Sequence, residues 1–319
     1  MKPPYEINNE ILKLVALVSE KIGEVNAKYL DKQSPQLRKQ NKIKTIHASL
    51  QIEGNALSEE QVTAIIENKK VLGSAKDILE VQNAIKVYED IASLKPTNQK
   101  HFLKAHQQLM KGLIHSPGQY RIQGVAIVKG AKLKHIAPSY KQVPALMNDL
   151  FNYLLKTDEI SLIKSCVFHY EMEFIHPFSD GNGRMGRLWQ TVILKEIYPV
   201  FEFLPIESVI SKHQKEYYKA LAMADKMGKS TPFIAFMLKM MVESLNELTT
   251  YNNRTLKDID RLTYFITKQQ ASFTRKDYMN TFTELSSATA SRDLRKGIEL
   301  GLFEKYGDKK LTVYKMLHR

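Results

Sequence analysis

Apolar residues recur every three or four positions along most of the first 250 residues, and this spacing constrains the fold more than any other feature. Such a period puts apolar side chains on one face of an α-helix, whereas a half-buried strand needs alternation. The stretch from Ile7 to Val25 follows the helical period. Further helices are predicted at residues 36–51, 58–68, 76–93, 98–111, 142–156, 159–174 and about 231–250. The sequence therefore predicts a mainly α fold.

Two local signals refine this prediction. Ser58 followed three residues later by Gln61 predicts a capping box, so a turn at Gly54 and Asn55 separates two helices. Between Gly124 and Pro138, short apolar runs flank a Lys-Gly-Ala-Lys break, a pattern that indicates a β-hairpin. This hairpin is the one β element expected in the main part of the chain.

The composition excludes several classes of protein. Hydrophobic residues form 43% of the chain and charged residues 25%, as in ordinary globular proteins. The single cysteine, Cys166, cannot form an intramolecular disulfide or a thiolate metal cluster, which favours a reducing compartment. The chain shows neither a secretory signal pattern at its start nor an apolar run of about 18 residues. We therefore expect a cytoplasmic protein without a membrane partner.

Basic residues outnumber acidic residues by 47 to 34, which gives a formal net charge of +13. The excess is concentrated towards the end, where residues 254–319 contain 14 basic and 8 acidic residues. A positive balance favours an anionic partner such as a nucleotide or nucleic acid and carries no information about the fold.

The densest group of polar residues is HPFSDGNGRMGR, which runs from His176 to Arg187. Because His176 precedes a proline, it is expected in extended geometry just beyond the end of a helix. Gly181 and Gly183 flank Asn182 and allow backbone amides to approach a bound group closely. Amides at the start of a helix favour negative charge, so this turn is predicted to be an anion cradle.

The remaining charged residues of this segment fit phosphate chemistry. Arg184 and Arg187 are three residues apart, so they share one helix face and offer planar donors to phosphate oxygens. Asp180 among these groups indicates a Mg²⁺ ion shared with the phosphates. A neutral His176 near the same centre could accept a proton from an attacking hydroxyl. The segment therefore indicates phosphoryl or nucleotidyl transfer.

At every defined position this segment resembles the signature HPFx[D/E]GN[G/K]RxxR of the Fic (filamentation induced by cAMP) family. The resemblance extends from about Ile43 to Glu247 and includes PGQYR at residues 117–121. It implies a Fic-type helical domain that transfers AMP from ATP to a Ser, Thr or Tyr hydroxyl of a protein, with Mg²⁺. The predicted hairpin is similar to the family's flap, where a target protein docks by adding a strand.

The resemblance also implies roles for individual residues. His176 would be the general base and Asp180 the Mg²⁺ ligand. The expected nucleotide-binding residues are Gly181, Asn182, Gly183, Arg184, Arg187, Tyr217 and Tyr218. Among them, Arg184 would lie towards the β-phosphate and Arg187 towards the γ-phosphate, and the two tyrosines would lie beside adenine.

A second segment, SLQIEG, resembles the family's inhibitory motif [S/T]xxxE[G/N] and comprises Ser49, Glu53 and Gly54 at its defined positions. It precedes the catalytic segment, which indicates the class with an N-terminal inhibitory helix. The carboxylate of Glu53 can pair with Arg187 and occupy the donors that would hold the γ-phosphate. ATP would then bind only in an unproductive position.

The end of the chain resembles a winged helix-turn-helix. Helices are predicted at about 256–268, after Thr274 and at about 286–300, followed by a hairpin through Gly307 and Asp308. Arg292, Arg295 and Lys296 share the outward face of the third helix, where a recognition helix would meet DNA phosphates. The alternative is a solvated basic face on a domain that makes dimer or protein contacts.

These observations predict an N-terminal helical region with the inhibitory motif at 1–95, a Fic core at 96–250 and a winged-helix-like domain at 251–319, with 251–253 as a linker.

Two functions fit the sequence. One is an autoinhibited protein adenylyltransferase that modifies a target or itself. The other is a DNA-binding transcriptional regulator whose Fic domain senses nucleotide or modifies only itself. The sequence leaves the oligomeric state open, a homo-oligomer included.

Overall fold

A computed structural model describes residues 3–29, 35–124, 126–129, 132–253, 258–268, 272–282, 285–307 and 312–317. Helices dominate the described residues, which confirms the predicted mainly α fold class. The helices are α1 (Asn9–Tyr29), α2 (Pro35–Ile52), α3 (Glu59–Ile66), α4 (Ala75–Glu89), α5 (Gln99–Leu109), α6 (Val143–Lys156), α7 (Ser161–Ile175), α8 (Asn182–Lys195), α9 (Ile206–Lys212), α10 (Gln214–Met227), α11 (Thr231–Asn253), α12 (Asp258–Lys268), α13 (Arg275–Thr281) and α14 (Ser287–Glu299). Short 3-10 helices lie at Ile91–Ser93 and Pro199–Glu202.

The chain forms two compact units. The first comprises Met1–Leu30 and Gln40–Leu248, and the second comprises Asp31–Lys39 and Thr249–Arg319. The first unit contains most of the regions predicted at 1–95 and 96–250, and the second contains the region predicted at 251–319.

Local signals in the sequence correspond to local structure. Ser58 accepts a hydrogen bond from the Gln61 amide while the Gln61 side chain accepts one from the Ser58 amide, which confirms the capping box before α3. The predicted hairpin is present as β1 (Ala126–Lys129) paired antiparallel with β2 (Lys132–Ile136). Its turn residues, 130 and 131, lie outside the described residues.

The linker predicted at 251–253 is helical, because α11 continues through Asn253 rather than ending at Thr250. Its residues, Tyr-Asn-Asn, include neither Gly nor Pro, so no strong helix breaker ends the helix at Thr250.

Two almost fully buried helices, α7 and α8, carry the polar segment between them. Eleven of the 15 residues of α7 are buried, and so are 12 of the 14 residues of α8. Both helices therefore lie in the protein core, and α8 carries buried polar residues, Arg184 and Arg187 among them, into it. The Phe102 ring meets Trp189 of α8 edge to face at 5.0 Å and stacks on Phe178 at 5.5 Å, so the loop from α7 to α8 is anchored by aromatic packing.

The second unit packs α12, α13 and α14 with a three-stranded antiparallel sheet. Its strands are β3 (Ser272–Phe273), β4 (Phe303–Tyr306) and β5 (Val313–Met316), in the order β3-β5-β4. The expected three helices and hairpin are present in the expected order, although the predicted turn residue Asp308 lies outside the described residues. In the core of this unit, Arg261 of α12 donates two hydrogen bonds, of 2.6 and 2.8 Å, to Asp293 of α14.

Across the described ranges, we find no helix whose length and apolar character would let it cross a membrane.

We expect Asp293→Ala to destabilise the second unit by about 3 kcal/mol, because it removes the buried carboxylate that pairs with the Arg261 charge and accepts from the Tyr278 hydroxyl. Native-state hydrogen exchange of peptides from α14 measures the loss, with peptides around Trp189 in the first unit as an internal reference. Asp258→Ala is the matched control, because Asp258 pairs with Lys296 at the surface and its loss should cost less than about 1 kcal/mol. Equal effects of the two substitutions would contradict the prediction.

Candidate active site

His176 terminates α7 in an unexpected conformation. Its φ of 50° and ψ of 60° are left-handed, whereas a residue before proline was expected to be extended. The His176 amide bonds to the Met172 carbonyl, so the residue closes the last turn of α7 and reverses the chain there. A left-handed conformation costs a residue with a side chain about 1–2 kcal/mol. Such strain is typical of functional positions and is sustained by surrounding contacts.

The imidazole of His176 has a defined hydrogen-bond partner. Its Nδ1 lies 3.4 Å from the carbonyl oxygen of Glu173, one turn earlier in α7. Because a carbonyl only accepts, the proton of the neutral ring belongs on Nδ1 and the lone pair on Nε2. This tautomer suits the predicted role of a base.

The turn between Pro177 and α8 is held from two sides. Gly181 precedes α8 with a φ of 84°, and a side chain there would also collide with Met110, so glycine is required. The Asn182 side chain is committed to the Phe178 backbone, because its Oδ1 accepts from the amide and its Nδ2 donates to the carbonyl, each at 2.9 Å. Both polar atoms of the Asn182 side chain therefore hold the turn, and its backbone amide lies at the start of α8.

His106, which no sequence signal indicated, supports the turn between Pro177 and α8 through hydrogen bonds and ring stacking. Its Nδ1 accepts a hydrogen bond from the Gly118 amide at 2.8 Å, so Nε2 donates to the Asp180 carbonyl at 3.0 Å. The ring stacks on Phe178 with 3.5 Å between centroids. Burial lowers the pKa of His106 to about 4, which keeps it neutral near pH 7.

Arg184 is already paired with two carboxylates. Its guanidinium lies 3.1 Å from Glu80 Oε1 and 3.2 Å from Asp180 Oδ1, and its side chain is only 4% exposed. Glu80 also accepts a hydrogen bond from Asn55 at 2.8 Å. Asp180 accepts from the Gly181 amide at 2.6 Å, yet its side chain remains 53% exposed.

Arg187 is the central buried cation of the site and contacts the predicted inhibitory segment directly. Nη2 donates to Glu53 Oε1 at 2.7 Å and to the Ser49 carbonyl at 2.9 Å, and Nε donates to the Ser49 hydroxyl at 3.2 Å. Burial opposes the charge, but the Glu53 carboxylate together with Tyr217 and Glu173 outweighs burial, so the pKa of Arg187 lies above its ordinary value. Within the described part of the chain, Nη1 has no hydrogen-bond acceptor.

Glycine at position 183 makes this contact sterically possible. A Cβ atom there would overlap Glu53 Oε1 and lie 3.1 Å from Arg187 Nη1. Gly54 follows Glu53 at the end of α2 with a φ of 93°. Ser49 and Glu53 thus contact Arg187, and Glu53 also lies against Gly183.

Part of this group lines a cavity of about 300 Å³ in the first unit, whereas Ser49 and Arg184 do not line it. Its lining includes the turn 181–183 together with His176, Asp180, Arg187, Glu53, Tyr217, Tyr218, Leu221 and Asp225. Ligand cavities commonly begin at about this volume. Asp225 had no signal in the sequence analysis, and it accepts a hydrogen bond from Tyr170 at 2.9 Å.

The two tyrosines differ in exposure. Tyr217 is 1% exposed and its hydroxyl lies 3.1 Å from His169 Nε2, so it belongs largely to the core. Tyr218 is half-buried, and its hydroxyl donates to the carbonyl of Ile52 at 3.4 Å, at the end of α2. His169 is fully buried between Gln190 and Tyr217, as expected of a packed histidine outside the site.

The described residues contain no group of three or more His, Cys, Asp or Glu side chains arranged to hold a metal ion. Mg²⁺ is usually held by one or two carboxylates together with substrate phosphates and water. The half-exposed carboxylate of Asp180, beside the cavity, fits an ion that arrives with a nucleotide.

The three basic residues predicted for DNA contact lie on α14 in the second unit. Arg292, Arg295 and Lys296 are all exposed. Lys296 forms an ion pair with Asp258 at 2.8 Å.

Comparison with known proteins agrees with this geometry. A profile of the Fic/DOC family matches residues 96–194. "Protein adenylyltransferase Fic" from Aedes aegypti is 30% identical over 210 residues, which are 61% of this chain and 39% of that protein. The protein of the same name from Culex quinquefasciatus is 30% identical over 223 residues, 65% of this chain and 42% of that protein. The chain thus spans about two fifths of the length of these relatives.

A crystal structure of a Fic family protein from Desulfovibrio desulfuricans G20 superimposes with a TM-score of 0.78 at 38% identity. The match covers 100% of this chain and 99% of that one.

We expect His169 to make the protein less stable in acid. Burial lowers its pKa to about 3, so between pH 6.5 and pH 3 the unfolded chain binds a proton that the folded chain does not. The folded state should lose about 2 kcal/mol from this group between pH 7 and pH 5. Denaturant unfolding followed by Trp189 fluorescence measures the loss, and His169→Gln should reduce the pH dependence by that amount. If the free energy of unfolding of His169→Gln changed with pH as much as that of the parent protein, His169 would not be the source of the acid sensitivity.

Proposed function

The chain belongs to the Fic family, and from this membership we propose that it is an autoinhibited protein adenylyltransferase. The observation that carries the proposal is the convergence of His176, the turn at the start of α8 and Arg187 on one cavity. A base, an anion cradle and a buried guanidinium are the groups that nucleotidyl transfer needs. The names of the Aedes and Culex relatives support the same activity.

We propose ATP, carried as its Mg²⁺ complex, as the nucleotide substrate. Asp180 would hold the ion, which would neutralise phosphate charge. The unpaired amides in the first turn of α8, at Asn182 and Gly183, would accept phosphate oxygens, helped by the helix dipole. Nη1 of Arg187, a buried donor in need of an acceptor, would bind the terminal phosphate.

In the proposed reaction, a hydroxyl oxygen of a Ser, Thr or Tyr attacks the α-phosphorus of ATP. A new phosphorus–oxygen bond forms while the bond from the α-phosphorus to the bridging oxygen breaks, and pyrophosphate leaves. The hydroxyl proton passes to Nε2 of His176, the nitrogen that carries the lone pair in the tautomer bonded to Glu173. The target becomes a phosphodiester of AMP.

We propose that Glu53 inhibits this reaction. Its carboxylate occupies Nη2 of Arg187 and lies against Gly183, so it fills the place where a terminal phosphate would sit. A bound triphosphate would have to break a charge-assisted hydrogen bond and bring negative charge next to the carboxylate. Release of Glu53 would therefore allow productive binding.

The hairpin β1–β2 is the proposed docking site for the target protein. It forms a two-stranded sheet with a register irregularity between Ile127 and Val128. An extended target segment could pair with its edge through backbone hydrogen bonds. A cytoplasmic location, where ATP is available and the lone buried Cys166 stays reduced, suits this activity.

A second candidate function, DNA binding, rests on the outward face of α14. Among the described residues no carboxylate pairs with Arg292 or Arg295, whereas Lys296 is paired with Asp258. Exposed arginines on a helix are suited to phosphate and base contacts. The Arg275 guanidinium bonds to Ser291 at 3.1 Å and adds charge beside the same helix. In this alternative, the Fic domain of a DNA-binding regulator senses nucleotide or modifies only itself.

We expect Glu53→Gly to raise the rate of AMP transfer to the protein itself about 10- to 100-fold, the equivalent of one charge-assisted hydrogen bond. Intact-mass spectrometry after incubation with Mg²⁺ and ATP measures the transfer, and Glu53→Gly/His176→Ala should abolish it. Glu67→Gly is the control, because it removes the same charge at the C-cap of α3, where Glu67 pairs with Lys69. Equal labelling of the Glu53 and Glu67 variants would refute inhibition by Glu53. If no variant is labelled although ATP binds, adenylyl transfer to itself is refuted.

For the second candidate, fluorescence anisotropy with a labelled DNA duplex is the direct measurement. Arg292→Ala/Arg295→Ala should weaken binding at least about tenfold. It should also reduce the slope of log affinity against log salt concentration by the amount expected for the loss of about two phosphate contacts. Lys215→Ala/Lys219→Ala, which removes two exposed charges from α10, is the control. Duplex binding that does not change with the arginine substitutions would count against α14 as the contact.

A further inference from the structure

Arg121, the last residue of the segment PGQYR, is a buried cation surrounded by backbone carbonyls. It is 6% exposed, and within the described ranges no carboxylate pairs with it. Its side chain donates to the carbonyls of His176 at 2.7 Å, Ile175 at 3.3 Å, Gln123 at 2.9 Å and Pro138 at 2.6 Å. All five N–H donors of a guanidinium lie in one plane, so one side chain can hold several carbonyls at fixed positions.

The four carbonyls belong to two parts of the proposed catalytic machinery. Ile175 and His176 form the end of α7, where carbonyls lack helical partners and the helix dipole is negative. Gln123 lies three residues before β1, and Pro138 lies two residues after β2. Arg121 therefore joins both ends of the hairpin to the residue proposed as the base.

A second contact strengthens this junction. The backbone amide of Arg121 donates to the Pro177 carbonyl at 2.9 Å. The chain on both sides of Pro177 is thus bonded to one residue, which helps to maintain the left-handed conformation of His176.

We propose that Arg121 is a positioning residue that sets the distance between a target segment on the hairpin and the imidazole of His176. This inference rests on the proposed function. A peptide paired with the hairpin edge presents its hydroxyl correctly only if the hairpin is fixed relative to His176. A misplacement of about 1 Å between reacting groups can cost about 100-fold in rate. Arg121 does not touch the nucleotide cavity, so its loss should slow transfer and leave ATP binding unchanged.

The test compares Arg121→Gln and Arg121→Lys with their parent, each in the Glu53→Gly protein. At saturating ATP, the rate constant of transfer to the protein itself should fall about 10- to 100-fold in both variants. The ATP concentration for half-maximal rate should change less than about twofold. Lysine keeps the charge without the planar set of donors, so it should fold if the glutamine variant does not. Lys141→Gln, an exposed charge just beyond Pro138, is the control.

Hydrogen exchange provides a second readout that does not need catalysis. Amides of β1 and β2 should exchange at least about tenfold faster in the Arg121 variants, while amides of α8 keep the parental rates. Parental transfer in a folded variant, an equal loss of ATP binding, or unchanged hairpin exchange would overturn the proposal. If the parent binds ATP but transfers nothing, the proposed function fails, and the hairpin exchange alone then decides whether Arg121 joins the two parts.

Discussion

The burial of the Arg187 charge is the constraint on which this site depends. An unpaired guanidinium that is only 2% exposed would cost several kcal/mol, so protein groups must compensate it. Ser49 and Glu53 do so from the end of α2, which must therefore lie directly against the start of α8. Because the end of α2 and the start of α8 are in contact, position 183 has no room for a side chain beside Glu53. The proposed inhibition is thus also part of the packing of the domain.

The site is rigid because the helices that carry it are core helices. Residues of α7 and α8 pack on all sides, and the loop between them is anchored through Phe178, His106 and Asn182. Several polar side chains buried in this region are paired with one another, as with His169, Gln190 and Tyr217. A preorganised arrangement of this kind suits electrostatic catalysis, since little reorganisation is needed when charge develops.

Much of the fold and the site was predictable, because the signals involved were local. Helical periodicity, the capping box at Ser58 and the hairpin at 124–138 each depend on residues near one another in sequence. The motif residues were predictable for the same reason, and the resemblance of the SLQIEG segment led to the contact of Glu53 with Arg187.

What could not be predicted depends on partners far apart in the chain. Nothing near Glu80 indicates that it binds Arg184, and nothing near His106 indicates that it supports Asp180. The local rule for a residue before proline predicted the wrong backbone for His176, because the helix end and tertiary bonds from Arg121 prevail over it. Similarly, the end of α11 could not be located without a breaker in its sequence.

Because the space around Gly183 is crowded, a substitution at position 183 and a substitution of Glu53 have different consequences for the inhibitory contact. Any larger residue at 183 would push Glu53 away, but its Cβ would also press on the guanidinium that a terminal phosphate is proposed to use. On the α2 side, Glu53 can change without altering the cradle itself. A change that releases the inhibitory contact while keeping the activity is therefore expected in α2 rather than at position 183.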